Sequence, residues 1–384
     1  MKKRTAPFEL PHADALMGTL SLIGKGISRP VENTLRDADV YRGIKPEVLF
    51  PRPKKIPPVQ VERRWQLPNL VSEDLVFEST HRPLERKFRE RYRREYRETR
   101  TVYARRIRPP ERRERPRLLY LHGYMQPESF VEELTLLTGM ALYLDVEVVQ
   151  PQLPYHGRRS PGSARLGGEF YWTADLVRSV ESLRQTVLDT RTLLSWMLRE
   201  DRRPVGVMGL SLGGALAAIL TCVEPRFAFS VPLIAHMDLE ALVADAPVMS
   251  GTRRDLRRFG WRRQDFARFV ADLGWNNLRP QLPLERIHLF AASDDRFFDP
   301  DIVRKMWKDW GEPSIRWYPS SHMGFLPYLP SVLATVREFI DTVPARSSSA
   351  TPPTPGRAAH QPDPPDGTRR PGARASARSV GRRP

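Results

Sequence analysis

The stretch "VGVMGLSLGGALAA" (205–218) runs from an apolar segment through Gly209, Leu210, Ser211, Leu212 and Gly213 straight into a run of helix formers. A strand that turns into a helix across one serine, with glycine two residues to either side, has few homes. It suits a buried, mostly parallel sheet, where each strand end feeds a helix that packs back on the sheet. Small neighbours let strand and helix approach each other around a serine held in a strained backbone conformation. The helix that starts there turns free N–H groups, and the positive end of its dipole, toward anything reacting at the serine.

The rest of the chain alternates in the same way. "EDLVFES" and "RTVYARRIRP" read as strands, followed by 117–121, roughly 143–150, 205–210, 227–235, 286–293 and 314–321. Residues 174–201 read as a long amphipathic helix with Thr173 as N-cap, and "LPSVLATVREFIDTV" as a closing helix. In "PLERKFRERYRREYRE" (83–98), Leu84, Phe88, Tyr92 and Tyr96 recur every four residues, giving a helix with one apolar stripe. Its Glu85/Arg89 and Glu90/Arg94 are spaced to pair across a turn. About fifty residues, 236–285, separate two of the strands and read as an inserted helical cap. Its Met237, Met249, Trp261, Phe266, Phe269 and Trp275 either line a substrate cavity or pack the cap itself.

The 384-residue chain carries a net charge of +17, which invites a nucleic-acid reading. The charge sits elsewhere than in the alternating region: residues 118–344 hold 25 Lys and Arg against 27 Asp and Glu. The excess lies in the flanks, which lack zinc-ligand spacing, an aromatic RNA-binding signature or a long basic stripe, so no specific nucleic-acid partner is expected. Residues 1–60 form a Pro-rich, basic extension with a short helical stretch near 13–27, and 345–384 are a Pro-, Ser- and Arg-rich tail expected to be disordered. The expected domain is 61–344. No apolar run reaches the ~20 residues of a membrane span; membrane contact would be confined to a weak surface association of the basic flanks. The start "MKKRTAPFELPHADA" has prolines and acids where a signal peptide needs an apolar core. With the single Cys222 in an apolar helix, no intrachain disulfide can form, and a reducing, cytoplasmic setting fits.

A serine hydroxyl is too weakly acidic to attack a carbonyl unaided; a histidine must take its proton and a carboxylate must orient that histidine. At an elbow of this kind the partners follow in the order Ser, Asp or Glu, His, each in a loop after a strand. After strand 286–293 comes "DDRFFDP", and Asp295 is favoured over Asp294 and Asp299 because it follows the strand end by two residues and precedes an apolar pair and a proline turn. Asp299 is placed to cap the next helix. After the last strand comes "SSHMGFL", and of eight histidines only His322 stands just before the closing helix. "LHGY" (121–124) ends the strand expected beside the nucleophile strand, so the backbone N–H of Tyr124, with Met125 as alternative, would complete an oxyanion hole with that of Leu212. His156 in "LPYHGRRSP" reads as structural. Arg158, Arg159 and Arg296 form a basic rim or are simply solvated.

With these motifs spread over about 70–344, the chain resembles the α/β-hydrolase superfamily, through "LHGY", "PYHGRR", "GLSLGG", the Asp295 region and His322. Within it, "LPYHGRRSP", "DDRFFDPDIVRKMW" and "IRWYPSSHMGFL" are similar in layout to the branch called α/β-hydrolase domain-containing protein 18. The resemblance implies an α/β-hydrolase fold with an eight-stranded, mostly parallel sheet flanked by helices, and hydrolysis of ester, thioester or amide bonds. It does not identify the substrate, because one fold hosts many chemistries. The expectation is a serine hydrolase acting on a small-molecule or lipid-like ester through Ser211, His322 and Asp295, with no metal or organic cofactor. An acyltransferase using the same residues and a non-catalytic binding protein of hydrolase form are the rival readings.

Overall fold

Along the strand Arg117–Leu121, Leu118 and Tyr120 face one way and Leu119 and Leu121 the other, and each pair joins a different apolar cluster. That two-residue period, with both faces buried, is what a central strand between two helical layers requires. The protein is seen here as a computed structural model that describes residues 31–111, 114–126 and 133–343. The helix expected near 13–27 and the tail 345–384 lie outside the described residues.

The sheet contains β1 (Gln60–Leu67), β2 (Leu70–Glu78), β3 (Thr101–Arg108), β4 (Arg117–Leu121), β5 (Glu147–Pro151), β6 (Val205–Leu210), β7 (Ser230–Leu233), β8 (His288–Ala292) and β9 (Ser314–Tyr318). Their order across the sheet is β1-β2-β3-β5-β4-β6-β7-β8-β9. From β5 to β9 all neighbours are parallel, while β1, β2 and β3 join antiparallel at one edge. The described residues thus hold nine strands where eight were expected. The additional one is β1, tied to β2 by the two-residue turn Pro68-Asn69. It is exposed along most of its length, so "QVERRWQL" carries no buried period, only the charges that protect a sheet edge.

The α-helices of seven residues or more among the described residues are α1 (Arg86–Glu95), α2 (Thr138–Leu144), α3 (Leu176–Glu200), α4 (Leu212–Val223), α5 (Leu239–Asp245), α6 (Ser250–Arg258), α7 (Arg263–Leu273), α8 (Pro300–Asp309) and α9 (Leu329–Asp341). α2 and α9 bury Met140, Leu144, Val332 and Val336 on the face of Leu118 and Tyr120, whereas α3 and α4 pack on the opposite face. β5 begins later than read because Leu142, Tyr143 and Leu144 complete α2, which ends at Asp145 in a left-handed conformation. α5, α6 and α7 fill the segment between β7 and β8. None of the helices among the described residues is long and apolar enough to cross a membrane.

Two local expectations change. The N-cap of α3 is Asp175, whose Oδ1 accepts the Arg178 N–H at 3.1 Å, not Thr173. Glu85 caps α1, accepting the N–H groups of Lys87 and Phe88, so its carboxylate is turned away from Arg89, which binds the Pro83 carbonyl. The aromatic part of the stripe is buried: the Phe88 ring contacts those of both Tyr92 and Tyr96.

α3 has the pattern of an amphipathic helix yet is buried on nearly every side. Residues 31–50 and α1 lie across the face that the pattern assigns to solvent. Glu181 accepts the Tyr41 hydroxyl at 2.6 Å and the Leu84 N–H at 2.7 Å, and Arg184 Nε donates to the Leu49 carbonyl at 3.0 Å. Arg191 reaches Glu224 at 3.1 Å. Charges buried this way are tolerated because each has an opposite charge or a carbonyl to meet.

Candidate active site

Ser211 stands between β6 and α4 with φ 57° and ψ −115°, a conformation costly for a residue with a Cβ. Its N–H donates to the Leu233 carbonyl at 3.1 Å, pinning the turn to β7. The glycines explain themselves by distance. A Cβ on Gly209 would lie 2.0 Å from the Gly213 carbonyl oxygen, and one on Gly213 would lie 1.9 Å from that of Leu121. No side chain fits either place, which is why strand and helix can close around the serine.

The chain runs from β4 outward to β5 and returns to β6 on the other side of β4, so a crevice opens at the carboxyl ends of β4 and β6, where such sheets bind ligands. Ser211 sits at one lip and His122-Gly123 at the other. From farther along the chain, His322 brings Nε2 to 2.9 Å from Ser211 Oγ and Nδ1 to 2.7 Å from Asp295 Oδ2. Asp295 is buried, and its Oδ1 accepts the N–H groups of Phe297 at 2.7 Å and Phe298 at 2.9 Å. The two other carboxylates of the loop are engaged elsewhere. Asp294 is exposed and meets the Ser293 hydroxyl, and Asp299 caps α8 through the Asp301 N–H.

The phenylalanines that mark this loop have a further part. Their rings stack on the His322 imidazole, inclined by 27° (Phe297) and 29° (Phe298), with centroids 4.6 and 5.6 Å away. Sequence reading used the pair only to choose among aspartates. Rings in that arrangement restrict the imidazole to one plane and present their electron-rich faces to it.

At the opposite lip, the Met125 N–H donates to His156 Nε2 at 3.3 Å, so of Tyr124 and Met125 the second already has an acceptor for its N–H. The N–H of Leu212 belongs to the first turn of α4, where backbone donors have no partner within the helix. Burial lowers the His122 imidazole to about 4, and burial together with the neighbouring His122 holds His156 well below its ordinary range. His236, whose Nδ1 accepts the Asp238 N–H, is lowered by burial to about 4. These three imidazoles are neutral at pH 7. Cys222 is buried, and that burial pushes its thiol upward and away from reactivity.

Behind Ser211 and His322 lies a cavity of about 820 Å³ with almost entirely apolar walls, among them Leu183, Ile219, Leu242, Met249 and Trp275. The residues of the 236–285 segment divide between the two roles left open by the sequence. Met237, Met249 and Trp275 line the cavity, while Trp261 and Phe266 pack on Phe269. The basic rim is not built as expected: Arg159 is buried against Asp189 and the Thr99 carbonyl, and Arg158 reaches Asp74 and the face of Tyr103. Arg165 is the arginine on the cavity wall.

A model of the family described as "Alpha/beta hydrolase domain containing 18" matches residues 38–245, a span that includes Ser211 and ends before Asp295. Uncharacterized protein Rv2627c of Mycobacterium tuberculosis (strain ATCC 25618 / H37Rv) is 31% identical over 248 residues, 62% of this chain and 55% of that protein. The chain therefore spans about half the length of the curated relatives it matches. Among solved structures, acetyl xylan esterase 1 from Thermoanaerobacterium sp. JW/SL YS485 superposes with a TM-score of 0.54 at 17% identity, covering 82% of this chain and 99% of that one. The acetyl xylan esterase from Paenibacillus sp. R4 gives 0.52 at 13% identity, over 86% of this chain and 99% of that one. At such identities the likeness is one of fold.

Proposed function

The chain belongs to the alpha/beta hydrolase domain containing 18 family, and from that premise we propose that it is a serine hydrolase cleaving a carboxylic ester or thioester with a largely apolar acyl group. The observation that carries this reading is the unbroken path from Asp295 Oδ2 through both nitrogens of His322 to Ser211 Oγ, with links of 2.7 and 2.9 Å. Such a chain of hydrogen bonds is what a hydroxyl needs to become a nucleophile at neutral pH.

In the proposed reaction His322 Nε2 takes the Ser211 proton as Oγ attacks the carbonyl carbon, and the N–H groups of Tyr124 and Leu212 receive the oxyanion. The tetrahedral species collapses, the bond to the leaving oxygen or sulfur breaks, and His322 returns the proton to it. Water, deprotonated by the same nitrogen, then attacks the acyl-serine and releases the acid. Asp295 keeps Nδ1 protonated, so that Nε2 is a lone pair at the start, and stabilises the imidazolium formed in each half-reaction. The apolar walls of the cavity support the substrate class, since each methylene buried there gains about 0.8 kcal/mol.

A fluorophosphonate probe tests the assignment. Wild-type protein should be labelled and Ser211→Ala should not; labelling that persists in the variant refutes Ser211 as nucleophile. A panel of chromogenic esters of graded acyl length then reads the cavity, with kcat/KM rising by up to about fourfold per added methylene while apolar wall remains to be covered.

A further inference from the structure

Two histidines outside the triad bind the loops on either side of the crevice to each other, and they do so reciprocally. His122 follows β4, and its Nε2 accepts the N–H of Leu153 from the loop after β5 at 3.1 Å. His156 belongs to that second loop, and its Nε2 accepts the N–H of Met125 from the first at 3.3 Å. Each ring is locked in one tautomer by its other nitrogen: His122 Nδ1–H donates to the Gly123 carbonyl at 2.8 Å and His156 Nδ1–H to the Pro154 carbonyl at 2.9 Å. The rings meet edge to face with centroids 4.9 Å apart.

The surroundings leave His156 little freedom. Tyr171 and Tyr124 contact its ring at 5.5 and 6.1 Å, and a Cβ on Gly168, which has φ +83°, would lie 2.3 Å from the accepting Nε2. Met125 is itself in the left-handed region, with φ 57°. A methionine stays in that conformation only where its surroundings hold it, and the bond from its N–H to His156 is such a hold. The peptide that carries this N–H directly follows Tyr124, the residue whose own N–H is assigned to the oxyanion.

We propose that His156, seated by His122, is the positioning residue of the oxyanion loop: by accepting the Met125 N–H it holds the Tyr124 N–H on the carbonyl oxygen in the transition state. The proposal rests on the serine-hydrolase reading above and adds to it a requirement for a neutral acceptor at position 156. His156 touches neither the substrate nor the reacting atoms. Its loss therefore weakens stabilisation of the oxyanion, which exists only in the transition state, and leaves ground-state binding alone.

The test is steady-state hydrolysis of p-nitrophenyl esters by full-length His156→Leu, His156→Gln and His156→Asn, with Ser211→Ala as reference and thermal melts to confirm folding. Loss of one oxyanion donor lowers kcat by about a hundredfold or more. His156→Leu, which cannot accept, should show that loss with KM nearly unchanged. His156→Gln, whose carbonyl can reach the Met125 N–H, should recover most of it. If His156→Leu does not fold, His156→Gln and the shorter His156→Asn carry the comparison, with high kcat expected only for glutamine. Wild-type kcat in folded His156→Leu, a change confined to KM, or equal kcat in the glutamine and asparagine variants overturns the proposal. In each of those cases an inactive Ser211→Ala leaves the hydrolase reading standing, whereas an active one removes the reading itself.

Discussion

Replacing Asp295 by asparagine puts the proposed chemistry under the sharpest strain, because the structure dictates how the new amide must sit. In the native site Oδ1 accepts two backbone N–H groups, from Phe297 at 2.7 Å and Phe298 at 2.9 Å, while Oδ2 faces His322 Nδ1 at 2.7 Å. An asparagine can keep its oxygen on the two N–H groups and point its NH2 at the imidazole, or turn over and confront two donors with a third. The second choice leaves buried donors unmade at roughly 1–3 kcal/mol each. At about 1.4 kcal/mol per factor of ten, the first orientation is preferred at least roughly thirtyfold. The amide then donates to Nδ1, the imidazole must carry its proton on Nε2, and it cannot accept one from Ser211. The expected consequence is a fall in kcat of about 10⁴-fold, on the order of 5 kcal/mol in the barrier. Stability should change little, because both backbone donors keep their acceptor. The assay is kcat and KM on a chromogenic ester beside a thermal melt. A folded Asp295→Asn within tenfold of wild-type kcat would refute the role given to Asp295.

Leu242→Trp on α5 fills part of the cavity, so activity on long-chain esters should fall by tenfold or so while acetate esters are spared, following the loss of about 0.8 kcal/mol for each methylene excluded. Equal losses at every chain length would mean that the acyl group lies elsewhere. Burial pushes Glu181 upward, but the hydrogen bond from His81 and the charge of Arg184, joined by the Tyr41 hydroxyl, outweigh it and hold the carboxyl at about 2 against an ordinary 4.5. Since the folded value lies below the unfolded one, this stabilisation is complete above the unfolded value and is lost as the pH falls through the folded one, with a size on the order of 3 kcal/mol. Glu181→Gln should therefore be less stable than wild type in denaturant melts at neutral pH, and the gap should close toward about pH 2; a gap independent of pH would place its origin in packing.

What could be read from sequence was what local pattern encodes. Gly209, Ser211 and Gly213 announce a backbone conformation within five residues, and the structure gives them contacts that no side chain could share. The order Ser211, Asp295, His322 was visible because each follows an apolar run that had to be a strand. β1 was not visible, since an exposed, charged edge strand has neither an apolar period nor a length that marks it. α3 misled in the opposite direction. Its polar face has the spacing of a solvated one, and only the arrival of Tyr41, Leu49 and Leu84 from far along the chain turns that face inward.

The sequence alone determined the alternation of strands and helices, the elbow at Ser211 and the residue types from which a nucleophile, a base and its orienting acid are drawn, because periodicity and glycine placement act over a turn or two of chain. Tertiary structure alone decided which aspartate faces His322, which backbone N–H His156 engages, how His122 and His156 join two loops, and how large a cavity the helices between β7 and β8 leave open. Those outcomes and the Ser211–His322 contact join residues 27 to 111 positions apart, and a separation of that kind is set by how layers pack, not by any pattern within them.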